Sequence, residues 1–167
     1  MVMKSCFFCS NMGSSDPEVV RAGESEDFLY FWDDFPVTPG HLLVVPKRHA
    51  ALLASLSTSE VNGFMSAVST GIEIIEQTNL ASHYQNRLKT IDNLKAKQFI
   101  SEALVNLNKV GPHQIPDAYN QGFNDGVAAG QTVPHFHYHI MPRWYGDQAD
   151  PRGGIRHLFA GKGNYHV

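Results

Sequence analysis

Hydrophobic positions along the chain change their period several times, and each change marks an element. Residues 27–32 (Asp-Phe-Leu-Tyr-Phe-Trp) and 41–45 (His-Leu-Leu-Val-Val) are short apolar runs rich in β-branched and aromatic residues, which predicts two strands. Pro36, Pro39 and Gly40 forbid a regular element in residues 33–40 between them, so that segment is a shaped loop. Ser57-Thr58-Ser59-Glu60 is a capping box, and Val61, Phe64, Met65, Val68, Ile72 and Ile75 follow at helical spacing, which predicts a helix burying that stripe on a sheet. Helical spacing returns at Tyr84, Leu88 and Ile91 and again at Ile100, Ala103, Leu104 and Leu107, so residues 79–116 form one long or two shorter helices before the Gly111-Pro112 stop. His83 and His113 in that segment read as surface residues. Residues 117–124 return to strand.

The alternation is sharpest from Val133 onward, where His135, His137 and His139 interleave with Phe136, Tyr138 and Ile140. Successive side chains of a strand point to opposite faces, so the imidazoles share one face, about 6.5–7 Å apart, and the apolar residues share the other. Packing alone is a poor reason for three such histidines, because histidine is seldom fully buried. Two chemistries use the array: chelation of a catalytic metal, or attack by one imidazole with the others positioning and protonating around it. Upstream, residues 124–132 (Asn-Asp-Gly-Val-Ala-Ala-Gly-Gln-Thr) are rich in glycine, amide and hydroxyl, which suits hydrogen bonds to phosphate oxygens better than a metal sphere. The connection to residues 117–124 is short, so the two strands should be antiparallel neighbours.

Composition narrows the class. The 167 residues, 43% hydrophobic, suffice for one domain over 1–167, with a helical insertion at about 79–116 and a loop-rich tail at 144–167. A net charge of −3 argues against broad binding to nucleic acid, so an anionic ligand must be met locally, with Lys47, Arg48, Arg143, Arg152, Arg156 and Lys162 as candidates. The N-terminus runs into Cys6-Phe7-Phe8-Cys9 rather than a long apolar stretch, and no run approaches membrane-spanning length. These features predict a cytoplasmic protein without signal peptide or membrane span. The only cysteine pair, Cys6 and Cys9, reads as metal-binding or redox-active. A thioredoxin-like site lacks room for its preceding strand, and a zinc knuckle needs two further ligands.

Residues 124–143 carry Asn-x-Gly-x-x-Ala-Gly-Gln-Thr-Val-x-His-x-His-x-His-x-x-Pro-Arg, and residues 33–49 carry Asp-x-x-Pro-x-x-Pro-Gly-His with Pro-Lys-x-His at its end. Both resemble the signatures of the histidine triad family of nucleotide hydrolases and transferases. The transferase branches resemble the motif with glutamine in the third histidine's place, so His139 points to hydrolysis. The resemblance covers roughly residues 6–9, 28–49 and 118–143, and the 79–116 segment departs from it.

The resemblance implies an α+β fold: an antiparallel sheet of about five strands with helices packed on one side, paired edge to edge as a homodimer. It implies hydrolysis at the α-phosphate of a nucleotide, with His137 as nucleophile, His139 protonating the leaving group and His41 bordering the site. Asp33 would accept from the ribose hydroxyls, and Asn124, Gln131 and Thr132 would donate to phosphate oxygens. Cysteines and histidines placed like Cys6, Cys9, His49 and His135 hold a structural zinc in metal-binding members, and no catalytic cofactor is expected. Phe28, Phe31 and Trp32 either wall a base pocket or pack the core, and Trp144 or Tyr145 could reach the substrate if the tail folds over it. Two alternatives remain open: a nucleotide-binding scaffold with little turnover, and a hydrolase using His135, His137 and His139 as metal ligands.

Overall fold

The computed structural model describes residues 6–13, 20–110 and 115–159. Five strands form one antiparallel sheet: β1 (Arg21–Glu24), β2 (Phe28–Trp32), β3 (Leu42–Pro46), β4 (Ala118–Gly122) and β5 (Tyr138–Arg143), in the order β1-β2-β3-β5-β4. The α+β class and the antiparallel pairing of the histidine strand with residues 117–124 are as expected. β1 has no apolar alternation to announce it. It forms as an edge strand on β2, with a register break between Arg21 and Gly23, so tertiary pairing rather than local preference creates it.

β2 and β3 are buried at every position because both sheet faces are covered. Phe28, Tyr30, Trp32, Leu42 and Val44 face the long helices α2 (Thr58–Gln77), α3 (Leu80–Thr90) and α4 (Leu94–Lys109). Leu29, Phe31, Leu43 and Val45 face the other way, where they pack with Cys6 and Phe8 of the short helix α1 (Phe7–Asn11) and its N-cap. The 79–116 segment is thus two helices, each started by an asparagine cap, Asn79 and Asn93.

The capping box of α2 is present, with Ser57 and Glu60 bonding reciprocally. Of the expected stripe, Val68 and Ile75 are buried and Phe64 and Ile72 pack against the core, but Val61 is 55% and Met65 69% exposed, and Glu60, Ala67 and Gly71 are buried as well. The cause is close approach. A Cβ on Gly71 would sit 2.7 Å from Ile140 Cδ1, so Gly71 and Ala67 face the sheet between Val68 and Ile75 and take the places that Val61 and Met65 were expected to fill. Glu60 tolerates burial because it caps the helix and bonds Arg48 at 2.6 Å.

The histidine strand starts later than expected. Pro134 sits in a tight turn in which the His135 N–H donates to the Val133 carbonyl at 2.8 Å, and the Phe136 N–H donates to Ala50. Ladder pairing therefore begins only at Tyr138, opposite Val44, leaving His135 and His137 on irregular chain. The apolar backing is nonetheless preserved, with Phe136 and Tyr138 packed edge-on against Phe64 of α2. Trp144, an expected substrate neighbour, is 5% exposed within the core, and Tyr145 points outward at 91%. The tail residues near it turn beside β4, with Ile155 against Gly122, and no described residue of 144–159 lines the large cavity discussed next. No helix among the described residues is long and apolar enough to cross a membrane.

Candidate active site and metal centre

The expected site residues separate into two clusters joined by the 131–137 segment. In the first, His135 is fully buried and its Nε2–H donates to the Pro46 carbonyl at 2.9 Å, which leaves Nδ1 as a lone-pair donor. That Nδ1 lies 3.4 Å from Cys6 Sγ and 3.5 Å from Cys9 Sγ, and His49 Nδ1 lies 3.2 Å from Cys9 Sγ. All four donor atoms fall within 4.8 Å of one another. A tetrahedral ion with bonds of 2.0–2.3 Å needs ligand–ligand edges of about 3.3–3.8 Å, so the set fits a closed Cys₂His₂ centre. Burial lowers His135 to about 4, which keeps it a neutral ligand. Burial, with Cys6 beside it, pushes the Cys9 thiol up to about 11, and a bound cation would reverse that by favouring the thiolate. Phe8, between the two cysteines, packs on the rings of both His135 and His137.

The second cluster opens on a cavity of about 670 Å³. His137 is buried, and its Nδ1 lies 2.7 Å from the His135 carbonyl oxygen. A carbonyl only accepts, so Nδ1 carries the proton and Nε2 the lone pair. His139 lies beside it, ring centres 5.0 Å apart, and its Nδ1 is 2.9 Å from His41 Nε2. His41 Nδ1 is in turn 3.3 Å from Asp33 Oδ2, a charge contact whose angle is too poor for a hydrogen bond. His139 Nε2 is buried without a protein partner.

Burial lowers His139 to about 4, helped by His41 and His137 and opposed by Asp33. His41 is lowered by burial too, with Asp33 opposing and His137 adding. His41 and His139 are therefore neutral at neutral pH, and an arriving phosphate would raise their proton affinity.

The cavity wall contains His137, His139, Asp33, Phe31, Trp32 and Thr132, together with Phe7, Phe8 and Asn11 of α1. Phe28 is instead in the core against Phe64. Gln131 and Asn124 are not brought to this wall. Gln131 holds the loop together, accepting from the Gly126 N–H and donating to the Ala51 carbonyl, while Asn124 is half-buried nearby. None of the five described cations expected there lines the cavity: Lys47, Arg48, Arg143 and Arg152 are paired with Glu24, Glu60, Asp147 and Asp150; Lys162 lies outside the described residues, as does His113.

The cation at the wall is Arg87, which the sequence reading did not single out. His83 is no surface residue; it packs on Trp32 at 4.8 Å, and burial followed by the Arg87 charge lowers it to about 4.

A family model described as HIT domain matches residues 17–145, which carry both the Asp33–His41 loop and the three histidines. The chain belongs to the HIT domain family. Among its HIT relatives, an uncharacterized HIT-like protein of Mycoplasma genitalium is 32% identical over 140 residues, covering 84% of this chain and 74% of that protein. The asymmetrical bis(5′-nucleosyl)-tetraphosphatase of Schizosaccharomyces pombe is 32% identical over 108 residues, 65% of this chain and 40% of that protein. A zinc-bound histidine triad family protein from Mycobacterium smegmatis superposes with a TM-score of 0.53 at 30% identity, covering 87% of this chain and 80% of that structure.

Proposed function

We propose that this HIT protein hydrolyses nucleotides at the α-phosphate through a covalent intermediate on His137. The observation that carries the reading is the hydrogen bond from His137 Nδ1 to the His135 carbonyl, which leaves the Nε2 lone pair as the nucleophile beside a cavity large enough for a nucleotide. In the first displacement a bond forms between Nε2 and phosphorus, the bond from phosphorus to the leaving group breaks, and the leaving atom takes a proton from His139 Nε2. In the second, water attacks phosphorus, returns its proton to His139, and the nitrogen–phosphorus bond breaks. His41 and Asp33 make the proton on His139 available, because the Asp33 charge stabilises an imidazolium shared across the 2.9 Å contact. Thr132 donates to the phosphate oxygens, on a loop that Gln131 helps shape.

Asp33 is the ribose acceptor. One of its oxygens already accepts from the Phe35 N–H and the other faces His41, and a carboxylate has two further acceptor positions for the hydroxyls. Phe31 and Trp32 flank the base. The substrates are phosphoramidates or dinucleoside polyphosphates; the tetraphosphatase relative supports the latter class.

Cys6, Cys9, His49 and His135 hold a structural zinc, which supplies a crosslink between α1, the chain after β3 and the histidine segment. Its four protein donors leave no open position for water. A hydrolase with His135, His137 and His139 as joint metal ligands is not supported, because His135 Nδ1 turns to the thiols while His137 Nδ1 turns to a carbonyl. β4 is an edge strand, which suits a homodimer with joined sheets.

The test is a panel of adenosine 5′-phosphoramidate and diadenosine polyphosphates, with turnover quenched in alkali and the protein digested for mass spectrometry. Adenylyl mass on His137 is expected. Turnover with the label on another residue, or hydrolysis of no member of the panel, overturns the reading.

A further inference from the structure

The loop from Trp32 to His41 carries three of the residues assigned above, Trp32, Asp33 and His41, yet proline and glycine deprive it of regular hydrogen bonding. Its support comes from the helices of the 79–116 segment. His83 packs on Trp32 at 4.8 Å, Phe99 meets Phe35 edge-on at 5.7 Å, and the Gly40 N–H donates to the Tyr84 hydroxyl at 2.7 Å. Gly40 has φ +77, and Leu80 would stand 3.1 Å from any Cβ there, so the turn into His41 is packed against the start of α3.

The strongest tie is Arg87. It is 4% exposed, and its Nε and Nη2 donate to the two carboxylate oxygens of Asp34 at 2.8 and 2.7 Å, while Nη1 donates to Thr90. A planar fork on a carboxylate fixes direction as well as distance.

Asp33 and Asp34 are adjacent and both line the cavity. Two unpaired carboxylates there would repel a nucleotide phosphate and each other, and the guanidinium cancels one of them.

We infer that Arg87 is a positioning residue: by clamping Asp34 it holds Asp33 toward the sugar, so that α3 sets the pocket's preference for ribonucleotides over 2′-deoxyribonucleotides. The inference rests on the ribose role proposed for Asp33. Losing the clamp leaves the histidines in place and should act on binding more than on chemistry, which Asp33 reaches only through its charge on His41.

Calorimetric titration with AMP and 2′-deoxy-AMP, together with kcat and KM for adenosine 5′-phosphoramidate, tests it on the zinc-loaded protein. Wild type should favour AMP by about tenfold or more, the value of a hydrogen-bonded hydroxyl. Arg87→Met should weaken AMP by about tenfold more than it weakens 2′-deoxy-AMP, and should raise KM by a larger factor than it lowers kcat. Arg87→Lys, which keeps the charge and loses the fork, should fall between them.

If Arg87→Met does not fold, the double variant Asp34→Asn with Arg87→Met removes both charges and is read in its place. Ile100→Ala on α4 lowers stability without touching the loop and should leave the AMP preference intact. A folded Arg87 variant with wild-type preference overturns the inference, as does an Ile100→Ala that erodes preference equally. Wild type that hydrolyses but binds both nucleotides alike overturns this inference alone, and wild type that neither binds nor hydrolyses overturns the proposed function with it.

Discussion

Two histidine clusters hang on one short segment, and they differ in where their nitrogens point. Around His135 every donor faces another donor: Nδ1 turns to two thiols, Nε2 is tied to a carbonyl, and His49 and the cysteines complete an enclosed set. Around His137 and His139 the far nitrogens are tied in a chain, to a carbonyl and to His41, and the near ones have no hydrogen bond among the described residues. The first arrangement suits a bound ion and the second suits a passing phosphate. Regular His-x-His-x-His spacing does not distinguish them. The turn at Pro134 does, because it takes His135 off the ladder and swings it toward α1.

The largest effect expected from this contrast is at the open cluster. His137→Ala should lower kcat/KM by about four orders of magnitude or more, since it removes the covalent route, while zinc content and melting temperature stay near wild type. Steady-state kinetics beside elemental analysis would show it, and substantial residual turnover would mean that the nucleophile lies elsewhere.

The closed cluster should respond in the opposite sense. Protein purified without added metal should carry about one zinc per chain. Cys9→Ser should lose it together with a large part of its thermal stability, because metal-binding free energy is folding free energy. Turnover should persist at temperatures where this variant still folds. A folded, zinc-free and wholly inactive Cys9→Ser would show that the two clusters cannot be separated.

The smallest effect is in pH. His83 and His139 are each lowered to about 4 in the folded protein, against an ordinary value of 6.5. Between these values the unfolded chain binds more protons than the folded one, so stability is complete above about 6.5 and is lost as pH falls toward 4. Melting temperatures measured across that window should fall on acidification, and His83→Phe, which keeps the packing on Trp32, should flatten part of the slope. Over the same range kcat/KM should decline with an apparent pKa belonging to the coupled histidines. A rate profile that stays flat from pH 8 down through pH 4, in protein that is still folded, would exclude a neutral histidine nucleophile.

Much of this was legible in the sequence where local chemistry dictates structure. The capping box at Ser57, the apolar runs of β2 and β3, and the proline-bounded loop at 33–40 all announce themselves. The fourfold cysteine and histidine set is legible only through family resemblance, since Cys6 and His135 are 129 positions apart. β1 was hidden because an Arg-Ala-Gly-Glu edge has no pattern of its own. Arg87 left a faint trace: Leu80, Tyr84, Arg87 and Ile91 fall on one helical stripe, and all are buried. An arginine on such a stripe demands an acid partner, which only the fold identifies as Asp34. Trp144 was misplaced because a tryptophan in a loop-rich tail looks available for ligand until the core that absorbs it is known.

The late start of the ladder at Tyr138 has a consequence for how the molecule loosens. His139 stands in β5, flanked by β3 on one side and β4 on the other, and cannot move without breaking the sheet. His135 and His137 stand on a stretch whose backbone has few ladder bonds, held by side-chain ties and, on the proposed reading, by a metal. Partial opening of that stretch is less costly than global unfolding. On the proposed reading, warming would therefore abolish turnover while most amide protons are still protected from exchange, so that thermal inactivation and the calorimetric transition would not coincide.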